Sequence, residues 1–216
     1  MIITIDGPAG SGKSTVARLL AERLNIRFLD TGAMYRAIAL AVLNAAADEN
    51  DLSAVAQIAR GVTISFDKDR LLLNEQDVTS EIRSPEVTAI SSIVASNPDV
   101  RERLVELQRD IGKRGSMVTE GRDQGTVVFP DAEHKFFVKA NLEARARRRQ
   151  LELFYEGVNL PIPVVMDQLS TRDERDETRE HAPMKPAKNA VVVDTSDLTI
   201  AQVVEMLINR IQGQTT

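Results

Sequence analysis

The chain has 216 residues, 43% hydrophobic and 27% charged, which predicts one well-filled core, or one core with small lobes, and argues against disorder over most of its length. Its net charge of −5 argues against sequence-independent nucleic-acid binding, which depends on basic residues neutralising phosphates. With no cysteine and only His134 and His181 as histidines, disulfides and thiolate metal sites are excluded and a multi-histidine metal site is not expected.

The first predicted element is a buried strand, Ile2–Asp6, apolar, β-branched and ended by Gly7. It is too short for a membrane span of roughly 18 residues, and no other apolar run approaches that length. It lacks the basic lead of a secretory signal, so a cytoplasmic protein with no membrane partner is expected. From Lys13 the period changes, and Val16, Leu19, Leu20 and Leu24 fall on one helix face. Residues 27–30 predict a second short strand, and Met34, Ile38 and Val42 mark a helix after Gly32. In residues 61–84 the period becomes that of a half-buried strand, with Val62, Ile64 and Phe66 alternating with Thr63 and Ser65. Asp67-Lys68-Asp69 reads as a turn and 71–73 as a returning run, so 61–84 predicts a small antiparallel insertion.

Ser84-Pro85 and Asn97-Pro98 each place a capping residue before a proline suited to the first helical position. The second of these helices carries the stripe Val100, Leu104, Leu107 and Ile111. Residues 117–119 and 135–139 predict strands, 142–155 and 164–180 charged helices, and 190–193 a last strand. Thr199-Ile200-Ala201-Gln202 is a capping-box signature for a final helix with Ile200, Val203, Val204, Leu207 and Ile211 turned inward. Strands alternating with helices imply an α/β fold, a parallel sheet with helices on both faces and ligands beyond the carboxyl ends of its strands.

Gly7-Pro8-Ala9-Gly10-Ser11-Gly12-Lys13-Ser14 matches the P-loop pattern, with a strand before it and a helix after it. Such a loop turns successive N–H groups around a phosphate, and the helix N-terminus adds partial positive charge. Lys13 is placed to reach the β- and γ-phosphates of ATP, and Ser14 offers its hydroxyl to Mg²⁺. The loop specifies nucleotide phosphate without specifying the reaction. Further arginines supply candidates for a second anion: Arg36 after Asp30-Thr31-Gly32, and Arg122 in Glu120-Gly121-Arg122-Asp123-Gln124-Gly125. Arg172, Asp176 and Arg179 share one helix face, and Arg145, Arg148 and Arg149 another. From spacing alone, internal ion pairs and solvated helix faces account for these residues as well.

Taken in order, the P-loop, Asp30-Thr31-Gly32-Ala33-Met34-Tyr35-Arg36, Glu120 through Pro130 and Arg172-Asp173-Glu174-Arg175-Asp176 resemble the motifs of bacterial cytidylate kinases. The likeness spans nearly the whole chain and includes Asp77-Val78-Thr79-Ser80-Glu81-Ile82-Arg83. It implies a single kinase domain over 1–216 of the P-loop NTPase type, with 61–84 as the core of a monophosphate-binding insertion and 142–180 as a helical lid with its flanking helices. It implies transfer of the γ-phosphoryl group of ATP to CMP or dCMP, with Mg²⁺, by a monomer. In that family's terms Gly7, Pro8, Ala9, Gly10, Ser11, Gly12, Lys13, Ser14 and Thr15 hold ATP, with Arg145, Arg148 and Arg149 in the lid. Thr31, Arg36, Arg122, Arg172 and Asp176 line the CMP phosphate and sugar, and Ser92, Arg101 and Asp123 read the cytosine. Lys13, Arg122, Arg172 and Arg179 carry the catalysis. Ser91 stands as the alternative to Ser92. Two other readings stay open: a P-loop kinase of another small acceptor such as UMP, AMP or shikimate, and a nucleotide-dependent switch. A Ras-type switch is expected to carry an Asn-Lys-x-Asp segment, which this sequence lacks.

Overall fold

The computed structural model describes residues 1–68, 70–155 and 157–213. Two compact units divide the chain, one formed by Met1–Leu29 with Arg114–Thr216 and the other by Asp30–Lys113.

The first unit is built on a five-stranded parallel sheet flanked by helices. Its strands are β1 (Ile2–Asp6), β2 (Arg27–Asp30), β6 (Met117–Gly121), β7 (His134–Lys139) and β8 (Val191–Asp194), in the order β2-β6-β1-β7-β8. β1 lies between two parallel neighbours and is buried on both faces, which is why it reads as an unbroken apolar run. In register, Asp6 stands opposite Gly121 of β6 and Phe137 of β7. The strands thus bring the P-loop and the Gly121-Arg122-Asp123 turn out side by side.

Helices α1 (Lys13–Leu24) and α8 (Ile200–Ile211) pack together, and the core joins Ile3, Ile5, Val16, Leu20, Val118, Phe136 and Leu207. Leu20 and Leu207 are fully buried, each worth about 1.5–3 kcal/mol. The expected stripe on α1 is shifted: Leu19 is 36% exposed, and Ala17 and Ala21 take the buried places beside Val16 and Leu20. Small alanines let the helix sit close to its neighbours. Thr199 caps α8 in a complete capping box with Gln202, as its spacing predicts.

Two longer helices, α6 (Leu142–Tyr155) and α7 (Ile162–Thr178), form a hairpin around Ala146, Leu153, Val165 and Leu169. After β6 the chain makes a single π turn, Gln124–Val128, which the sequence did not announce.

The second unit starts at α2 (Thr31–Asn44), against which α3 (Leu52–Gly61), α4 (Pro85–Val94) and α5 (Pro98–Gly112) pack. α3 was not expected. Asp51 caps it by accepting from Ser53 and Ala54, and its buried face is Val55, Ala56 and Ala59. The insertion is a three-stranded antiparallel sheet, β3 (Ile64–Asp67), β4 (Arg70–Leu73) and β5 (Gln76–Asp77). Asp69 of the expected turn lies outside the described residues. Ser84 and Asn97 cap α4 and α5 as their pairing with proline predicts. On α5 the buried face is Val100, Arg101, Leu104 and Gln108, so Leu107 and Ile111 are only partly covered.

Candidate active site

The P-loop follows from the end of β1. A Cβ on Gly7 would lie 2.0 Å from the Val138 carbonyl oxygen, so only glycine lets the loop pass β7 this closely. The loop then turns into α1, whose first residue is Lys13. Ser14 and Thr15 expose their side chains on the first turn, where free helix N–H groups favour an anion. The Ser11 hydroxyl is buried in the loop and makes no hydrogen bond to another group among the described residues. A buried hydroxyl in a ring of amides is suited to a phosphate oxygen.

Lys13 is 6% exposed, with its ammonium 3.4 Å from the Pro8 carbonyl and 3.6 Å from the Glu120 carboxylate. Burial chiefly, and the charge of Arg122 with it, lower its pKa to about 8, while Glu120 opposes the drop. Glu120 is the missed partner here. It ends the apolar part of β6, and a carboxylate there could have been read as the counter-ion of the P-loop lysine.

The next residue but one, Arg122, donates from Nε to Asp176 Oδ2 at 2.7 Å and from a terminal nitrogen to the Gly121 carbonyl at 3.3 Å. Burial works against its charge, but Asp176 and Glu120 outweigh burial and raise its pKa. Burial likewise penalises the Asp176 carboxylate, yet Arg122 and Arg172 together hold its pKa below the usual value. Arg172 acts on Lys13 as well, so the P-loop lysine, the β6 turn and α7 share one electrostatic field. Arg179, just past α7, donates to the Ala182 carbonyl at 2.6 Å and stands 3.9 Å from Asp123. Lys13, Arg122, Arg172 and Arg179 are therefore gathered with Glu120, Asp123 and Asp176 between them. Such a cluster stores cationic charge against its own carboxylates and can turn it toward phosphates.

The three arginines Arg145, Arg148 and Arg149 of α6 differ from one another. Arg145 is 8% exposed and donates to the carbonyls of Ala140 and Ala9 at 3.0 and 3.1 Å, and to Asp173. It clamps α6 to the P-loop backbone and to α7. Arg148 donates to the Ser11 carbonyl at 3.4 Å and to Thr195, whose hydroxyl also donates to the Ser11 carbonyl at 3.0 Å. Arg149 pairs with Glu152 at 3.0 Å, one turn further along α6. The clamping partners Asp173 and Thr195 carried no signal at the level of spacing.

Within the second unit, Asp30 caps α2 by accepting from the Ala33 amide at 2.8 Å and takes Arg36 at 3.2 Å. Thr31 is buried at the start of the same helix. The Arg101 guanidinium is 5.7 Å from the centre of the Tyr35 ring and donates to the Ala95 carbonyl at 3.3 Å. Ser91 is buried and turns its hydroxyl back to the Thr88 carbonyl, whereas Ser92 is half-buried.

A parallel sheet with a P-loop before its first helix, and a cluster of arginines and carboxylates on the neighbouring strand end, defines a nucleotide-dependent phosphotransferase of the P-loop class. The Cytidylate kinase family model matches residues 3–213. The chain is 44% identical over 211 residues to the Cytidylate kinase of Citrifermentans bemidjiense, covering 96% of this chain and 91% of that protein. It is 48% identical over 212 residues to that of Mycobacterium avium, covering 96% and 93%. A solved structure from Eubacterium ventriosum, of an uncharacterized protein, superposes with a TM-score of 0.54 at 16% identity over 99% of this chain and 98% of that one, a likeness of fold. The chain belongs to the cytidylate kinase family and is a nucleoside monophosphate kinase.

Proposed function

We propose that the protein transfers the γ-phosphoryl group of ATP to CMP or dCMP, giving ADP and CDP or dCDP, and that the clustered arginines described above carry the reaction. The observation that supports this most directly is the shared field of Lys13, Arg122, Arg172 and Asp176 at the strand ends next to the P-loop. An oxygen of the acceptor phosphate attacks the γ-phosphorus, and the bond from that phosphorus to the β,γ-bridging oxygen breaks. The acceptor is already an oxyanion at neutral pH, so no general base is required. Catalysis then rests on alignment and charge neutralisation.

In this reading the amides of the loop from Gly7 to Thr15, with the Ser11 hydroxyl, hold the ATP phosphates, and protonated Lys13 lies against the γ-phosphoryl oxygens. Arg148 and Arg149 serve the nucleotide directly from the lid, and Arg145 acts through the loop backbone it clamps. Arg36, Arg122 and Arg172 hold the acceptor phosphate, with Thr31 beside it and Asp176 at the sugar. Ser92, Arg101 and Asp123 read the cytosine. Arg179 faces the transferring group, where an arginine can be worth about 10³–10⁵ in rate. Residues 61–84 serve the monophosphate and 142–180 form the lid.

Mg²⁺ fits this donor set. Among the described residues no group of three or more histidine or acidic side chains could cage a metal, and Ser14 offers an exposed hydroxyl oxygen. That is the donor pattern for an ion carried chiefly by phosphates and water. When bound, Mg²⁺ neutralises charge on the β- and γ-phosphoryl oxygens. No helix among the described residues is long and apolar enough to cross a membrane, and we read the enzyme as a cytoplasmic monomer without a nucleic-acid partner. The test is phosphorus NMR of a reaction with ATP, Mg²⁺ and CMP. One CDP is expected for each ADP formed. ADP with inorganic phosphate in place of CDP would overturn the reading.

A further inference from the structure

One buried group near the cluster has no part in the chemistry above. Asp6 is the last residue of β1, directly before the P-loop, and is 3% exposed. Its two carboxylate oxygens accept from two consecutive backbone amides, Oδ1 from Gln124 and Oδ2 from Gly125, each at 2.8 Å. Those amides open the π turn that follows Arg122 and Asp123 without a break. The fit is close. A Cβ on Gly125 would come 2.9 Å from the Thr4 hydroxyl and 3.4 Å from Asp6 Oδ2, so glycine is what lets the turn settle on the carboxylate. The turn is also held from its own side, since Gln124 and Thr119 are joined through their side chains at 2.9 Å.

We propose that Asp6 is a positioning residue: as a carboxylate it fixes the Gln124 and Gly125 amides, and through them it sets Arg122 and Asp123 relative to the P-loop for phosphoryl transfer. The inference rests on the reaction proposed above. The chemistry requires the ionised form, because a carboxylate accepts at both oxygens, whereas a carboxylic acid or an amide turns one of these positions into a donor facing an N–H. The charged groups acting on Asp6 are Asp123 and Arg122, both from the turn after β6, while β7 presents uncharged Phe137 in register. Burial chiefly, and Asp123 with it, raise the Asp6 pKa to about 7, against the two amide bonds and Arg122, which lower it. The switch between holding and releasing the turn therefore falls in the neutral range.

The test is Asp6→Asn, isosteric and uncharged, compared with the natural chain in steady-state turnover of ATP and CMP between pH 6 and pH 9. The natural enzyme is expected to lose kcat on the acid side with an apparent pKa of about 7. The variant is expected to bind ATP normally, to fall about tenfold or more in kcat at pH 8, the size of one lost hydrogen bond to a charged group, and to lack that acid limb. A variant within about twofold of the natural kcat, or one that keeps the limb, overturns the proposal. Amide NMR of the natural chain tests it without any variant and without turnover. The Gln124 and Gly125 amide protons and the Arg122 Nε proton should shift together through one titration near pH 7. Independent or flat behaviour of these signals overturns the positioning role even if CMP is turned over. A coupled titration in a protein that does not turn over CMP would instead place the fault in the proposed reaction.

Discussion

Removing Asp176 should destabilise the protein more than removing the arginine it pairs with. The Arg122–Asp176 contact is 2.7 Å long, with side chains 14% and 8% exposed. Deleting one partner of a buried pair costs about 3–5 kcal/mol, because the other is left as a buried, uncompensated charge. The surroundings are not symmetric. Asp176 feels Arg122, Arg172 and Arg179, so Arg122→Ala leaves it two cations and should cost about 1–2 kcal/mol, close to a charged hydrogen bond. Asp176→Ala leaves those arginines with less negative charge among them. Glu120 still acts on Arg122, so the cost should be near the lower bound, about 3 kcal/mol. For a chain of this length that lowers Tm by about 6–12 °C. Urea unfolding of both variants and of the double variant at pH 7.5 provides the assay. The double variant should be less destabilised than the sum of the singles, since neither member of the closest pair is then left without the other. A larger loss for Arg122→Ala than for Asp176→Ala, or a loss below about 1 kcal/mol for Asp176→Ala, would refute this electrostatic account.

Three further outcomes are expected. Arg36→Ala should cripple transfer to CMP while leaving ATP affinity nearly unchanged, because Arg36 is held by Asp30 at the head of α2 and is assigned to the acceptor phosphate; nucleotide titrations beside turnover assays decide it. Arg145→Ala should lower unfolding free energy by about 3 kcal/mol, since it leaves Asp173 buried without its cation, and denaturant unfolding measures this. Lys13 must be protonated to meet phosphate, so ATP affinity of the free protein should fall above pH 8 or so, by about tenfold per pH unit, as calorimetry across pH would show. The sign for stability is the reverse: with a folded pKa of about 8 against 10.5 unfolded, the Lys13 contribution to stability of the free protein rises with pH across that window.

What the sequence made legible was local. The P-loop, the Ser84, Asn97 and Thr199 caps, and the alternation that becomes β3 and β4 all depend on neighbours within a few residues. Helix α3 was legible but not read: its apolar face, with Val55, Ala56 and Ala59 buried, keeps a helical period, and Asp51 before it was a usable cap signal. The π turn escaped because its anchor, Asp6, lies 118 residues from Gln124 in sequence. The arginines of α6 look alike in sequence. Arg145 became a buried clamp through Ala9 and Asp173, which are 136 and 28 residues away, while Arg149 stayed with Glu152 on its own helix. Spacing placed Arg122, Arg172 and Asp176 among the candidates, but not the 2.7 Å bond that ties the β6 turn to α7.

The central claim is tested most directly by turnover of ATP and Mg²⁺ with CMP, dCMP, UMP, AMP, GMP and shikimate each offered as acceptor, with ADP release as the signal. The account predicts fast turnover with CMP and dCMP and little with the purine monophosphates or shikimate. Preference for any of those other acceptors, or no turnover by folded protein that binds ATP, would contradict it.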